Sequence, residues 1–118
     1  MRVEKFKYIV WAKDLDGLIR FYQRVFAAEV THRSEVMAEC LIAGGVLAIH
    51  GGGDGERTWT GLTFQVDKLF EACNLISAEG GAVLRPPVDT PEEPAHLAMC
   101  VDPSGNEFMV TIARRQSA

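Results

Sequence analysis

The stretch FKYIVWAKDLDGLIRFYQRVFAAEV at residues 6–30 is matched, 53 residues further on (Asp67 minus Asp14), by WTGLTFQVDKLFEACNLISAEGGAV at residues 59–83. Each copy begins with a strand-like segment and continues through an Asp that can cap a helix. Each then has a segment of helical periodicity and the start of another strand. Such internal similarity predicts two copies of one structural unit. We expect the functional surface to lie where the two copies face each other.

Length and composition bound the class of protein. The 118 residues are 47% hydrophobic and 24% charged, which is typical of one globular domain with a real core. The formal net charge is -4 with both signs scattered, so neither nucleic acid nor a membrane is an expected partner. The start has no apolar signal core, and we expect a cytoplasmic protein. The three cysteines have no CxxC spacing and are expected to be buried free thiols.

The order of patterns predicts a βαβββ unit twice. In the first unit we expect Asp14 to cap the helix and Gly44-Gly45 to form a two-residue hairpin turn, and in the second unit Asp67 takes the capping role. The predicted elements of the first unit are a strand over 6–12, a helix over 15–27 and strands near 29–33, 37–42 and 46–50. Those of the second unit are a strand over 58–66, a helix over 68–79 and strands over 82–85, 96–101 and 107–112.

A glycine-rich segment, residues 51–56, lies between the two units and is expected to be a flexible connector. A phosphate-binding loop is the alternative, but the segment lacks the Gly-Lys-Ser/Thr ending and no helix follows directly. We therefore predict one α+β domain over residues 1–118, with module one at about 1–52 and module two at about 57–114.

Strand alternation divides the side chains between two faces of each sheet. The side chains expected on the helix side are Phe6, Tyr8 and Val10 of the first strand and Thr60, Leu62, Phe64 and Val66 of the strand that opens the second unit. Those expected on the open face, where a cleft would form, are Lys5, Lys7, Ile9, Trp11, Ala48, His50, Trp59, Gly61, Thr63, Gln65, Glu107 and Met109.

The repeat resembles the glyoxalase, bleomycin-resistance and ring-cleaving dioxygenase superfamily, also called vicinal oxygen chelate proteins. Its most specific pieces are Asp14-Leu15-Asp16 leading to Phe21-Tyr22, Glu79-Gly80-Gly81 before a strand, and Asp102-Pro103-Ser104-Gly105-Asn106 in the last hairpin. The resemblance covers nearly the whole chain. It implies two tandem βαβββ modules that form a cup-shaped mixed sheet with the helices outside.

Metal-using members of that superfamily take four ligands from the first and last strands of both units. The resemblance puts Lys7, His50, Gly61 and Met109 at those places. A lysine ammonium repels a divalent ion, glycine offers no side chain, and a thioether suits the expected metals poorly. We therefore expect no metal and no other cofactor.

Metal-free members of the superfamily include antibiotic-binding proteins, often dimers with an aromatic groove. The resemblance thus favours a metal-free small-molecule-binding protein, a homodimer that sequesters an aromatic or antibiotic-like ligand. Trp11 and Trp59 would supply stacking surfaces. The expected polar anchors are Lys7, His50, Gln65 and Glu107, and Gly61 would leave room in the cleft.

Two other functions stay open at this stage. One is a glyoxalase-like lyase or isomerase, with His50 as base together with Glu39 or Glu107, or with a divalent metal at displaced positions. The other is an interaction module that uses the open sheet face to bind another protein.

Overall fold

The computed structural model describes residues 1–113, and within them the chain forms two helices and eight strands in the predicted order. Residue 114, the expected end of module two, lies outside the described residues. The first unit consists of β1 (Lys7–Ala12), α1 (Leu15–Phe26), β2 (Glu29–Arg33), β3 (Met37–Ile42) and β4 (Gly45–Gly51). The second consists of β5 (Thr58–Val66), α2 (Leu69–Ala78), β6 (Ala82–Arg85), β7 (Leu97–Val101) and β8 (Asn106–Ile112).

Each unit contributes a four-stranded mixed sheet. The strand orders are β1-β4-β3-β2 and β5-β8-β7-β6. The outer strand β1 runs parallel to β4, β5 runs parallel to β8, and the other pairs are antiparallel. The predicted α+β class with two tandem βαβββ modules is confirmed, and the mixed sheet is divided into two hydrogen-bonded halves.

The helix α1 begins and ends where its local sequence requires. The Asp14 carboxylate accepts a hydrogen bond from the Gly17 amide at 3.3 Å, as predicted for a capping residue. The helix ends at Phe26 because Ala27 takes a left-handed conformation with φ 54°. Its buried stripe faces the core and consists of Leu18, Ile19, Phe21 and Tyr22.

Three local expectations were wrong. Asp67 does not cap α2, because Lys68 occupies the N-cap position and makes no side-chain cap bond. The β3–β4 turn consists of Ala43 and Gly44, both with positive φ, since Gly45 already pairs with Ile42 in the sheet. Phe6 was expected to be covered on the helix side, yet it precedes β1 and is 88% exposed.

One hydrophobic core joins the two units. The ring of Phe26 stacks on that of Phe64 with centroids 4.0 Å apart, so α1 of the first unit packs on a strand of the second. Phe108 of β8 also meets Phe26 edge-on at 5.9 Å. This aromatic cluster fixes the second sheet against the first helix.

The three cysteines are buried free thiols, as predicted. Burial raises the pKa of Cys100 to about 12, and the neighbouring Cys73 adds to the increase. The thiol form is therefore the stable one, and these side chains act as small apolar core residues. Neither α1 nor α2 has the length and apolar character that spanning a membrane would require.

Candidate functional site

The open faces of both sheets carry large apolar side chains that no other layer of the described chain covers. Trp11 is 52% exposed and Trp59 is 51% exposed, and Ile9 lies beside Trp11 on the same face of β1. The alternation predicted for β1 and β5 holds, since Val10 is buried on the helix side while its neighbours in β1 face outward.

A groove of about 690 Å³ runs between the edge strands β1 and β5, and we call it the central groove. Lys7, Trp11 and Trp59, which were predicted to line a cleft, all line it. Four other predicted site residues do not lie on its walls, namely His50, Gly61, Glu107 and Met109, and neither does Gln65, the further polar anchor expected in the cleft.

Lys7 is engaged by a carboxylate on the neighbouring strands. Its ammonium donates to Glu39 Oε2 at 2.9 Å, and Lys5 donates to Glu39 Oε1 at 2.8 Å. Hydrogen bonds from Lys5 and Lys7 lower the pKa of Glu39 to about 2. Glu39 is therefore a carboxylate at neutral pH, and it holds Lys7 at the edge of the groove.

His50 sits apart from that ion-pair network. Its β1 neighbour is Trp11, with ring centroids 5.3 Å apart and planes inclined by 56°, and its β3 neighbour is Met37. Glu39 lies opposite Ala48 instead. The expected carboxylate partnership between Glu39 and His50 is thus not formed, because the register offsets Glu39 by two residues from His50 and its carboxylate turns to the two lysines.

Gly61 has a backbone reason for being glycine. Its φ is +76°, and it lies in the irregular part of β5 between Trp59 and Thr63, where the pairing with β8 shifts. A side chain in this left-handed conformation would be strained, whatever the surrounding space. The Cβ of a larger residue would meet only the Tyr8 hydroxyl, at 3.9 Å.

The remaining two predicted residues lie on the second sheet. Met109 stands opposite Thr63 on one side and Met99 on the other, on the open face of β8. The Glu107 carboxylate lies 3.6 Å from the Arg57 guanidinium. Both side chains lie on the same face as Trp59 but away from the central groove.

The last hairpin clamps β1 to the second unit. Asn106 Nδ2 donates to the Trp11 carbonyl at 2.9 Å, and its Oδ1 accepts from the Trp11 amide at 3.3 Å. Ser104 Oγ accepts from the Lys13 amide at 3.0 Å. The side chains of Asn106 and Ser104 thus make hydrogen bonds to the backbone that a neighbouring strand would otherwise make. These bonds hold Trp11 at the wall of the groove.

The buried carboxylate of Asp102 holds this hairpin in place. It is 2% exposed and accepts hydrogen bonds from Tyr22 Oη at 2.7 Å, from the Ser104 amide and from both nitrogens of Asn106. Burial raises the pKa of Asp102, and these hydrogen bonds act in the opposite direction. Burial, and then the charge of Asp102, raise the pKa of Tyr22 well above its usual value.

Several groove residues were not predicted from the sequence. Tyr8 and Asn106 contribute to the lining, together with the glycine-rich loop that was expected to be only a connector. The loop is fixed at both ends, by Gly53 donating to the Ala12 carbonyl at 2.9 Å and Thr58 donating to Gly105 at 2.9 Å. The motif from Asp102 to Asn106 was the sequence signal that could have indicated these residues, because the hairpin that it forms closes this end of the central groove.

Some polar groups on or beside the open faces are not used by the described part of the protein itself. The indole N–H groups of Trp11 and Trp59 and the ring nitrogens of His50 have no hydrogen-bond partner within residues 1–113. The same holds for the Tyr8 hydroxyl. These donors and acceptors remain available to a bound molecule.

The model of one protein family matches residues 5–110, and its description is Glyoxalase/Bleomycin resistance protein/Dioxygenase superfamily. The chain belongs to this superfamily. No curated protein is significantly similar to it in sequence. The order of its elements and the position of its last hairpin agree with this membership.

Solved structures of the superfamily share the fold. The fosfomycin resistance protein FosX from Listeria monocytogenes superposes with a TM-score of 0.79 at 23% identity, over 97% of this chain and 96% of that one. Lactoylglutathione lyase from Agrobacterium tumefaciens superposes with a TM-score of 0.70 at 17% identity, over 96% of each chain. At these identities the likeness establishes the fold alone.

The residues at the positions that the resemblance assigns to metal ligands do not fit a divalent metal. Lys7 is a cation already paired with Glu39, Gly61 has no donor, and Met109 has only a thioether. Lys7 stands opposite Val46 in the parallel pair, four residues before the point where Trp11 meets His50. That register separates the Cα positions of Lys7 and His50 by about 13 Å along the strands. This separation is too large for one ion to contact both side chains.

Metal donors do not gather elsewhere in the described chain either. Within residues 1–113 no three His, Cys, Asp or Glu side chains are placed to hold a metal ion. A catalytic zinc site, for comparison, needs three protein ligands around one ion.

Proposed function

We propose that this superfamily member is a metal-free small-molecule-binding protein that holds an aromatic ligand in the central groove. The observation that carries the proposal is the pair of half-exposed tryptophans, Trp11 and Trp59, on the walls of one cavity of about 690 Å³. A cavity of this size suits a drug-sized molecule, and flat indole surfaces favour aromatic rings.

The polar surroundings favour a ligand with an acidic or hydrogen-bonding edge. Lys7 presents an ammonium to the groove while Glu39 fixes its position. The free indole N–H groups add two further donors. Asp54 and Glu56 lie on the loop side, so an anionic group would bind at the Lys7 end.

Related proteins give this proposal a biological setting. FosX, which shares the fold of this chain, is described as a fosfomycin resistance protein. A FosX variant was crystallised with Mn(II) and 1S,2S-dihydroxypropylphosphonic acid. Lys7, Gly61 and Met109 of our chain are poor donors for such a metal, and for this reason we propose sequestration of an antibiotic-like compound without a metal.

We also propose that the protein is a cytoplasmic homodimer. Ile9 is an exposed apolar residue beside Trp11 on the open face of the first sheet, and Leu41, level with Lys7, is exposed on β3. Exposed apolar surface of this kind is typical of a protein interface. The three buried free thiols suit a reducing compartment.

A titration tests the binding proposal. Naphthol, as a first aromatic probe, is expected to quench tryptophan fluorescence and to bind with a measurable enthalpy in calorimetry. The double variant Trp11→Phe/Trp59→Phe retains no tryptophan and is measured by calorimetry. It is expected to bind about tenfold more weakly, because each indole contact contributes about 0.5–1.5 kcal/mol. Phe70→Leu, which alters an exposed aromatic residue outside the groove, is the matched control. Equal affinity of the double variant and the wild type would refute the stacking role.

The second candidate function is a lyase or isomerase with His50 as base. One observation favours it: both ring nitrogens of His50 are free within residues 1–113, and the ring lies beside Trp11. If His50 were the base, His50→Gln would abolish turnover of any substrate found and leave its binding intact. Under the binding proposal, His50→Gln changes affinity slightly and no turnover exists to lose.

A further inference from the structure

A second cavity, of about 780 Å³, lies on the other side of Tyr8 from the central groove. It runs between the end of α1, the β3–β4 turn and the second half of β5, and we call it the helix-side groove. Its floor is apolar and includes Phe26, Ile42, Leu62 and Phe64. Several of these side chains are only half buried, although they pack against the core.

The helix-side groove is open because the two units end in different hairpins. In the second unit the four residues 102–105 join β7 to β8, and the hairpin reaches across to the backbone of Trp11. In the first unit Ala43 and Gly44 alone join β3 to β4, too short a turn to reach β5 in the same way. The end of β5 therefore keeps an uncovered apolar wall.

An unused carboxylate stands at the rim of this wall. Asp67 was expected to cap α2, yet its side chain makes no hydrogen bond and no ion pair within residues 1–113. Gln65, two residues earlier on the same strand, also has an unpartnered side chain. Both residues line the groove, together with the exposed ring of Phe6.

We propose that the helix-side groove binds a small amine with an aromatic or aliphatic body. The ammonium would pair with Asp67, and the body would lie on the apolar floor. The volume lies in the range that small-molecule sites use, and the only charged side chain on the lining is negative. Phe6 and Tyr8 add aromatic faces on which the body of the ligand can pack.

This site is separate from the one under "Proposed function", and the two can be measured independently. Both tryptophans of the chain line the central groove and neither lines the helix-side groove. A ligand of the helix-side groove should therefore shift amide NMR signals of β5 near Gln65 and Asp67 while it leaves tryptophan fluorescence unchanged.

Three probes with one body and different head groups test the proposal: phenylbutylamine, phenylbutanol and phenylbutyrate. NMR titration of the full chain is expected to show that the affinity decreases from the amine to the alcohol to the acid. The amine should bind about three- to fivefold more tightly than the alcohol, as for an exposed ion pair. Asp67→Asn should remove that advantage and leave the affinity for the alcohol unchanged. Asp67 is exposed and unpartnered, so the variant should fold normally.

Two further variants separate the head-group contact from the apolar floor. Phe6→Ala should weaken all three probes by a similar factor, because it removes apolar surface and no charge. Asp54→Asn, an acidic residue of the central groove, should change none of the three affinities.

Any of three results would overturn the proposal. The amine and the alcohol could bind the wild type equally, or none of the probes could saturate the β5 signals. Alternatively, sedimentation could show that Phe6→Ala converts a dimer into a monomer, in which case the groove is covered by a second copy of the chain.

Discussion

Glu39 shows how one side chain sets the chemistry of an open sheet face. It accepts ion-paired hydrogen bonds from Lys5 and Lys7, and it converts Lys7 from a mobile cation into a fixed one. Glu39, one of the two carboxylates that the enzyme hypothesis named, therefore holds the lysines, and the other, Glu107, lies 3.6 Å from Arg57. Nothing in the sequence near Glu39 indicated this, since Lys5 and Lys7 lie more than thirty residues away.

The Glu39 ion pairs predict a specific acid sensitivity. The pKa of Glu39 in the folded chain is about 2, below its ordinary value of 4.5. The resulting stabilisation is complete above about pH 4.5 and is lost as the pH falls towards about 2. Chemical denaturation across this range should show a steeper loss of stability for the wild type than for Glu39→Gln. Parallel stability curves would contradict the assignment, because the other carboxylates titrate in both proteins.

The hydrogen bond between the buried side chains of Tyr22 and Asp102 predicts that removal of the Tyr22 hydroxyl will lower the stability of the fold. Tyr22→Phe removes a 2.7 Å hydrogen bond to a carboxylate that is 2% exposed, so the free energy of unfolding should fall by about 1–3 kcal/mol in urea. Tyr8→Phe is the matched control, because the Tyr8 hydroxyl has no partner within residues 1–113. Equal stabilities of the two variants would contradict the role given to Tyr22.

The number, order and type of the elements could be predicted from the sequence, because strand alternation and helical periodicity are local properties of the chain. Local signals were less reliable at single residues. Asp14 and Asp67 occupy matching places in the repeat, yet only Asp14 caps its helix, because α2 begins after an intervening Lys68. The β3–β4 turn likewise lies one residue earlier than its glycines suggested, with Ala43 in a left-handed conformation.

The irregular strand β5 carries a prediction of its own. Gly61 has a φ of +76° where the β5–β8 pairing shifts, so Gly61→Ala should lower the free energy of unfolding by about 1–2 kcal/mol. Gly61→Asn should cost less, because Asn tolerates the left-handed region better than Ala. Thermal unfolding of the three proteins tests the order. An Ala variant as stable as the wild type would show that β5 readily takes a regular pairing here.

At the level of the whole molecule, the chain is flat. Its principal extents are 49 × 36 × 22 Å and its radius of gyration is 15.0 Å, whereas a compact chain of this length has a radius of about 13.5 Å. The sequence located only the Lys7, Trp11 and Trp59 part of the central groove and nothing of the helix-side groove, since each depends on how β1 and β5 of different units approach each other. Gly61, His50 and Met109 were placed on the correct strands, but the register sets them away from the central groove.

The flat shape and the exposed open faces predict self-association. Analytical ultracentrifugation should give a particle of about twice the 13.0 kDa chain mass. Ile9→Arg, which puts a charge on the exposed apolar face of β1, should shift the equilibrium towards the monomer. A wild type that stays monomeric at high concentration would contradict the proposed homodimer.

The metal content of the purified chain tests the central proposal most directly. The protein should be prepared without chelators from cells grown with added manganese, zinc, nickel and iron, and then examined by elemental analysis. We expect far less than one equivalent of any of these metals per chain, because Lys7 is a cation, Gly61 has no side chain and the Met109 thioether suits these metals poorly. One tightly held equivalent, lost on substitution of His50, would contradict a metal-free binding protein and favour an enzyme.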